Sequence, residues 1–153
     1  MVKAEQEILV SHQVLQVPFN YSAGPVAGKF LVALRDEKKI LGIKCPKCGI
    51  VYVPPRGNCG KCLTSLKDWV ELSGRGKIQS FTRINYQEPT HPAHPEQFIL
   101  AVIKLEGADT GLTHLVGEVL EDELEVGTLV EPVFRDYRKG EILDIRYFRP
   151  VRK

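Results

Sequence analysis

The 153-residue chain lacks any long hydrophobic run, since its longest unbroken apolar stretch covers only residues 98–103. A membrane-spanning helix needs about 18 such residues in a row. The first fifteen residues mix Lys3, Glu5 and Glu7 with apolar side chains, which is unlike the hydrophobic region of a signal peptide. We therefore expect a cytoplasmic protein that does not enter a membrane.

The chain also has little net charge, because 21 basic residues nearly balance 19 acidic ones. Proteins held to nucleic acid by phosphate neutralisation usually have a pI above about 9, and the pI here is about 8.3. Basic residues do gather toward the end of the chain, as Arg135, Arg138, Lys139, Arg146, Arg149, Arg152 and Lys153. They form either a solvated surface or a docking site for a polyphosphate-bearing ligand or an acidic partner.

Cysteine is scarce, and all four residues fall in two CxxC pairs, Cys45 with Cys48 and Cys59 with Cys62. Two intervening residues let one tight turn aim both thiolates at a single ion, and two such turns complete a tetrahedral sulfur shell. We expect Gly49 and Gly60 to supply the permissive backbone of these turns. Soft thiolates in this geometry suit zinc first and iron second. Two disulfides are the less favoured alternative in a reducing cytoplasm. We predict one structural Zn²⁺, because four sulfurs leave no open position for water or substrate.

If a metal ion takes every cysteine, none remains as a nucleophile. No Gly-x-Ser-x-Gly motif occurs, and Gly76-Lys77 lacks the earlier glycine of a phosphate-binding loop. The residues therefore predict no catalytic group on this chain.

We predict a mainly β protein, and the chain divides into three zones that differ in composition and hydrophobic pattern. An N-terminal extension at 1–43 carries a short amphipathic helix over 26–38, and a zinc ribbon occupies 44–67. Residues 68–153 hold five apolar or alternating runs separated by Gly and Pro, at 77–85, 98–105, 113–120, 129–134 and 142–148. Five short strands with a break after the third outline an OB-fold, although periodicity does not distinguish it from another small barrel or sandwich.

Histidines occur in two settings. His91 and His94 lie in a proline-rich loop between the first two barrel strands, where OB-folds commonly place binding loops. That loop is either a ligand or partner contact or simply an ordered connection. His114 falls inside the third strand, and we expect it to pack against a neighbouring strand.

These motifs, in this order, resemble the DUF35 family, whose members join an N-terminal helical segment, a rubredoxin-like zinc ribbon and a C-terminal OB-fold barrel. The resemblance runs from about residue 21 to residue 150. Its most specific part is the order of ribbon, Trp-Val-Glu-x-x-Gly-x-Gly segment at 69–76, and β-barrel.

The resemblance implies a partner of thiolase-fold enzymes in acyl-CoA pathways, such as the small thiolase subunit of anaerobic toluene degradation. Thiolases use one cysteine as nucleophile and a second as acid/base, and this chain has no cysteine to spare. We therefore expect a non-catalytic subunit that docks on a thiolase-type catalytic chain and helps form its acyl-CoA site.

Within that role, the residues are assigned as follows. The helix contacts the partner through Phe30 and Leu34, and the substrate or CoA side is formed by His91, His94, Arg146 and Arg149.

Two alternatives belong to other classes. A single-stranded nucleic-acid binder fits an OB-fold, but such folds present stacking aromatics and basic residues on their second and third strands. Residues 98–105 and 113–119 hold a single aromatic and almost no positive charge. A stand-alone acyl-CoA carrier or hydrolase is the second alternative, and it lacks a base and nucleophile pair.

Overall fold

The computed structural model describes residues 10–11, 13–84, 98–119 and 124–152. In this part of the chain one helix, α1, precedes all of the strands. The elements are α1 (Gly24–Glu37), β1 (Ile40–Lys44), β2 (Val51–Tyr52), β3 (Asp68–Leu72), β4 (Gly76–Ile84), β5 (Phe98–Leu105), β6 (Gly111–Val116), β7 (Leu129–Phe134) and β8 (Ile145–Pro150).

Helix α1 confirms the predicted amphipathic helix. Pro25 stands in its first turn, where a missing N–H costs nothing, and Lys38 ends it in the left-handed conformation. Its buried face is formed by Phe30, Ala33 and Leu34, which share one side of a helix by their spacing. No helix in the described ranges has the length and apolar character needed to span a membrane.

A small antiparallel sheet in the order β2-β1-β3 carries the cysteine-rich segment. Ile43 on the central strand pairs with Tyr52 on one side and with Trp69 on the other. Strand β1 begins before residue 44 and β3 begins after residue 67, so the sheet extends on both sides beyond the residues 44–67 that contain the cysteine pairs.

The remaining five strands form a closed barrel in the order β4-β5-β6-β8-β7, which confirms the OB-fold. Its pairs are antiparallel except for β6 with β8, which run parallel and meet at Val116 and Phe148. The third strand is shorter and earlier than predicted, since β6 ends at Val116. Beyond this point Glu118 adopts a positive φ that a strand does not continue through.

The last predicted strand, 142–148, was wrong in its first half. Residues Ile142–Asp144 form a single 3₁₀ turn, and β8 begins only at Ile145. The cause is the Asp144 carboxylate, which is fully buried and accepts hydrogen bonds from the backbone N–H groups of Lys139, Gly140 and Glu141. These bonds curl the preceding loop around one side chain, which hydrophobic periodicity does not reveal.

One hydrophobic core joins the helix, the ribbon sheet and the barrel. Leu34 of α1, Ile40 and Val53 of the ribbon and Phe148 of the barrel belong to the same buried cluster. A smaller cluster lies around the cysteines and contains Ile43, Cys45, Tyr52, Cys59 and Leu66. The ribbon therefore has little core of its own, because its sheet packs largely on the barrel.

Four hydrogen bonds tie the ribbon to the turn between β5 and β6, and we call this set the ribbon clamp. Val51 N–H donates to the Asp109 carboxylate at 2.8 Å, and Asp109 N–H donates back to Val51 O at 2.8 Å. Thr110 Oγ1 accepts from Val53 N–H at 2.8 Å and donates to Val53 O at 2.9 Å. Two side chains thus continue the backbone pairing of β2 toward the barrel.

His114 is buried in the barrel, where its ring lies edge-on to Phe148 at 5.5 Å, as expected for a packing residue. Its Nδ1 accepts from Leu115 N–H, which leaves the proton on Nε2, 3.2 Å from Ile142 O. Burial lowers the pKa of this imidazole. The neutral ring satisfies both bonds, so His114 has a structural role.

Candidate metal centre

The two cysteine pairs lie on two turns closed in the same way. Gly49 N–H donates to Cys45 O at 2.9 Å, and Leu63 N–H donates to Cys59 O at 3.0 Å. Each donor stands four residues after the first cysteine of its pair and has a positive φ, 73° at Gly49 and 60° at Leu63.

The sequence suggested that Gly60 supplies the permissive backbone of the second turn. Instead, Leu63 adopts the left-handed conformation, and Gly60 has no positive φ. A Cβ at Gly60 would lie 3.0 Å from the guanidinium of Arg56, which stacks over the ring of Tyr52.

The four sulfurs converge on one point. All of their Sγ atoms lie within 4.8 Å of one another, and Cys45 Sγ is 3.6 Å from Cys62 Sγ. A tetrahedral site with Zn–S bonds of about 2.3 Å places its sulfurs about 3.8 Å apart. The donor set and its spacing therefore fit a tetrahedral metal ion of zinc size.

Tyr52 prepares Cys59 to bind a cation. The tyrosine hydroxyl accepts from Gly60 N–H at 3.1 Å, so its own proton points to Cys59 Sγ at 3.2 Å. This hydrogen bond is the main reason that the pKa of Cys59 falls to about 6, with a further contribution from Lys61 N–H. A thiolate is thus favoured at this position near neutral pH.

The thiols of Cys62 and Cys48 have pKa values shifted in opposite directions. Thr64 Oγ1 lies 3.2 Å from Cys62 Sγ, and this contact lowers the pKa of the Cys62 thiol. The pKa of Cys48 rises to about 12, chiefly because this thiol donates to the Cys62 sulfur. A thiolate is therefore least favoured at Cys48, and a metal ion that binds all four sulfurs has to displace the proton of this thiol.

The centre is closed rather than catalytic. Cys45 and Cys59 are buried, and Cys48 and Cys62 are half-buried against the small cluster that contains them. Four protein ligands fill a tetrahedral ion and leave no position for a reacting group. The arrangement can hold the two turns together.

Replacing Tyr52 by Phe is expected to make the metal easier to lose in acid. The variant removes the bond that lowers the Cys59 pKa, so protons compete with the metal at higher pH and the pH of half-release moves upward. Loss of such an outer partner typically costs a factor of about 10–100 in affinity. Metal release can be followed against pH with a colorimetric chelator. Tyr147→Phe removes a hydroxyl bonded to Glu118 at a distance from the cysteines and should leave the profile unchanged. An unchanged profile in both variants would contradict the role of Tyr52.

The helix residues assigned to the partner interface are not available to a partner. Phe30 is 3% exposed and Leu34 is fully buried, both within the main core. The expectation that they form the docking surface is therefore wrong. The apolar stripe of α1 covers the chain's own sheet and barrel. On its outer side the helix presents Val32, which is 45% exposed, and Lys29, whose ammonium lies over Trp69.

The two arginines assigned to CoA have different surroundings. Arg149 is held by acidic neighbours, with ion pairs to Glu131 at 2.9 Å and to Glu118 at 3.7 Å. Arg146 lies over the ring of Tyr147 and faces a polar cleft of about 570 Å³. His91 and His94 lie outside the described residues.

The polar cleft beside Arg146 was not foreseen as a unit. We call it the basic cleft, and its lining residues are Phe134, Arg135, Asp136, Tyr137, Lys139, Glu141 and Arg146. The tyrosine ring of Tyr137 is 77% exposed. The clustering of Arg and Lys in the sequence indicated a basic region near the end of the chain but not a cleft. The cleft depends on Asp144, which binds the backbone N–H groups of residues 139–141 and holds them near the start of β8.

Together, the four-cysteine ribbon and the closed five-stranded barrel define a protein of the zinc-ribbon and OB-fold class. Family models match both modules: residues 33–66 match the ChsH2 rubredoxin-like zinc ribbon domain, and residues 69–135 match the ChsH2 C-terminal OB-fold domain. The chain belongs to the DUF35 family, which confirms the resemblance seen in the sequence.

Curated relatives agree with this membership. The chain is 33% identical over 117 residues to a DUF35 domain-containing scaffold protein of Methanothermobacter thermautotrophicus, covering 72% of this chain and 86% of the relative. A protein of the same name from Methanocaldococcus jannaschii is 26% identical over 126 residues, with coverage of 77% and 86%. A probable enoyl-CoA hydratase alpha subunit of Thermomonospora curvata is 29% identical over 116 residues, which cover 75% of this chain and only 34% of that protein.

Solved structures share the fold. A chain from a structure titled Ltp2-ChsH2(DUF35) aldolase superimposes with a TM-score of 0.63 at 21% identity, covering 85% of this chain and 98% of that one. A DUF35-family protein of unknown function from Sulfolobus solfataricus gives a TM-score of 0.60 at 24% identity, with coverage of 83% and 84%.

Proposed function

We propose that this protein is a non-catalytic subunit of a thiolase-type acyltransferase complex, which docks on the catalytic chain and helps form its acyl-CoA site. The observation that carries the proposal is the use of the cysteines. The chain has four, and all four converge on one closed metal centre. Thiolase chemistry requires a free cysteine nucleophile, so that residue has to come from another chain.

The names of related proteins support a partner role. Two relatives are called scaffold proteins, one is called an enoyl-CoA hydratase subunit, and one solved structure is titled as an aldolase with a DUF35 component. A scaffold, a subunit and a component of an aldolase each act together with another chain, and the hydratase name adds a CoA thioester. The thiolase assignment rests on the family resemblance and on the missing cysteine.

The ion in the ribbon is proposed to be one structural Zn²⁺, held by Cys45, Cys48, Cys59 and Cys62. The sulfur spacing and the closed shell support zinc. When bound, the ion would cross-link the two cysteine turns. The ribbon clamp holds the ribbon against the barrel.

The basic cleft is proposed to face the CoA moiety. Arg135, Lys139 and Arg146 place three cations around it against the two carboxylates of Asp136 and Glu141, and a CoA molecule carries phosphates that such cations bind well. The exposed ring of Tyr137 can stack on an adenine base. Arg149 is a weaker candidate, because its guanidinium is already bound by Glu131 and Glu118.

Nucleic-acid binding has less support. In β4, β5 and β6, as far as they are described, the exposed side chains include no aromatic residue: Lys77, Gln79, Ser80, Thr82, Arg83, Lys104 and Thr113. OB-folds that bind single strands rely on base stacking at this surface. Tight binding of oligonucleotides that weakens steeply with salt would favour this alternative.

The proposal is tested by co-expression with the thiolase-type chain encoded nearest to it. We expect a stable hetero-oligomer and an acyl-transfer rate at least tenfold higher than that of the catalytic chain alone. In the assembled enzyme, Arg146→Ala should raise the KM for acyl-CoA about tenfold, as expected for one lost charged hydrogen bond. Arg149→Ala is the matched control and should change KM less than threefold. A chain that stays alone and adds no activity would contradict the proposed function.

A further inference from the structure

The residues that precede helix α1 carry large apolar side chains that do not pack in the core. We call residues 13–22 the N-terminal arm. The arm contains no helix or strand, and every residue in it is exposed. Its large apolar side chains are among the most exposed in the described chain, at 89% for Val14, 88% for Leu15, 75% for Phe19 and 81% for Tyr21. Large apolar side chains gathered in one exposed segment are typical of an interaction site.

The pattern of the arm is that of a β-strand. From residue 15 onward the odd-numbered positions are apolar or aromatic, and the even-numbered positions are Gln, Pro, Asn and Ser. Side chains two residues apart share one face of an extended chain. The rings of Phe19 and Tyr21 already lie on the same side, with their centroids 5.9 Å apart. One face of the arm is therefore apolar along its length: Leu15, Val17, Phe19 and Tyr21.

Pro18 decides how such a strand can pair. In an extended chain, the backbone N–H and C=O groups of alternate residues point to opposite edges. Pro18 lacks an N–H and interrupts the edge formed by even-numbered residues. The edge formed by odd-numbered residues keeps all of its donors and acceptors. An arm of this kind fits at the border of a sheet, with one edge paired and the other in solvent.

A second copy of this chain offers no matching sheet edge in the described ranges. The barrel is closed and has no free edge strand in the part of the chain that the structure describes. The outer strands of the ribbon sheet have two and five residues, and both are shorter than a strand formed by residues 15–21. The arm also carries no charged side chain between residues 13 and 28. It therefore suits an apolar groove on a different protein that has a longer free strand.

We propose that the N-terminal arm joins the catalytic partner chain by strand addition. It pairs through its odd-numbered residues with an exposed sheet edge of that chain and inserts its apolar face into the groove beside it. The inference rests on the proposed function, because it takes the thiolase-type chain as the occupant. The N-terminal arm thereby replaces the buried face of α1 as the expected docking surface.

Proline substitutions on neighbouring residues test the pairing edge. Val17→Pro removes a donor from the intact edge and keeps a small apolar side chain, whereas Gln16→Pro removes a donor from the edge that Pro18 already interrupts. We expect Val17→Pro to weaken binding of the full-length, metal-loaded chain to the thiolase-type chain at least tenfold, and Gln16→Pro to weaken it less than threefold. Binding is measured by isothermal titration calorimetry.

A second matched pair tests the apolar face. Phe19→Ser should weaken the same interaction at least tenfold, whereas Asn20→Ser should leave it within threefold. All four positions are exposed and lie outside the helices and strands, so metal content and thermal midpoint should equal those of the unaltered protein in all four variants.

The outcomes are distinct. Full binding by Val17→Pro and Phe19→Ser overturns strand addition and leaves the proposed function standing. Equal weakening by Val17→Pro and Gln16→Pro overturns pairing through the odd-numbered edge. Self-association of the isolated chain that Phe19→Ser abolishes would make a second copy the occupant and overturn the choice of partner. No binding by the unaltered chain overturns the proposed function together with the arm's role in it.

Discussion

The Cys48→Ser variant is expected to lose the metal ion and much of the stability of the whole chain. Serine removes one of four thiolates, and the ribbon has only a small cluster around the cysteines to hold its turns. In zinc-finger peptides a structural zinc ion contributes about 10–16 kcal/mol of apparent binding free energy, and the variant forfeits a large part of it. Metal content by mass spectrometry and the thermal midpoint by circular dichroism measure the two effects.

The loss should reach the barrel, because Val51 and Val53 of the ribbon lie in the main core. We therefore expect one cooperative transition at lower temperature rather than selective unfolding of the ribbon. Lys47→Ser alters the exposed neighbour of Cys48 in the same turn and is the control, with unchanged metal content. A metal-free Cys48→Ser protein with an unaltered thermal midpoint would show that the ion does not support the fold.

The Leu34→Ala variant is expected to lower the free energy of unfolding by about 2–5 kcal/mol, the range for truncating a fully buried leucine. Leu34 is 0% exposed and packs in the core that helix α1 shares with the barrel. Alanine keeps the helix propensity, so the loss reports packing. Urea denaturation measures the change.

Val32→Ala is the matched control on the outer side of the same helix. Val32 is 45% exposed, and surface substitutions usually change stability by less than about 0.5 kcal/mol. If Leu34→Ala kept full stability and weakened only the binding of the catalytic chain, Leu34 would belong to an interface after all, contrary to its burial here.

The metal centre was predictable from the sequence because its information is local. Two residues between cysteines define a turn, and two such turns define a tetrahedral sulfur set. The supporting residue Tyr52 was not predictable, since it lies seven positions from Cys59 and reaches it only through the pairing of β2 with β1. Likewise, Leu63 carries the left-handed turn that a glycine was expected to provide.

The five barrel strands were largely predictable, because alternation and Gly or Pro breaks are properties of short segments. The start of β8 was not, because the buried Asp144 carboxylate organises the preceding turn through three backbone N–H groups. The role of α1 was misjudged for a related reason. An amphipathic pattern states that one face is buried and does not state whether the chain itself or a partner buries it.

The ribbon clamp has a consequence for assembly. Asp109 and Thr110 fix the ribbon against the barrel through four hydrogen bonds. The metal centre and the basic cleft are therefore held in one relative orientation before any partner arrives. A partner that touches both modules loses no entropy in aligning them, and rigidity of this kind strengthens binding without adding a single contact. The ribbon then contributes to affinity by keeping the shape of the chain constant.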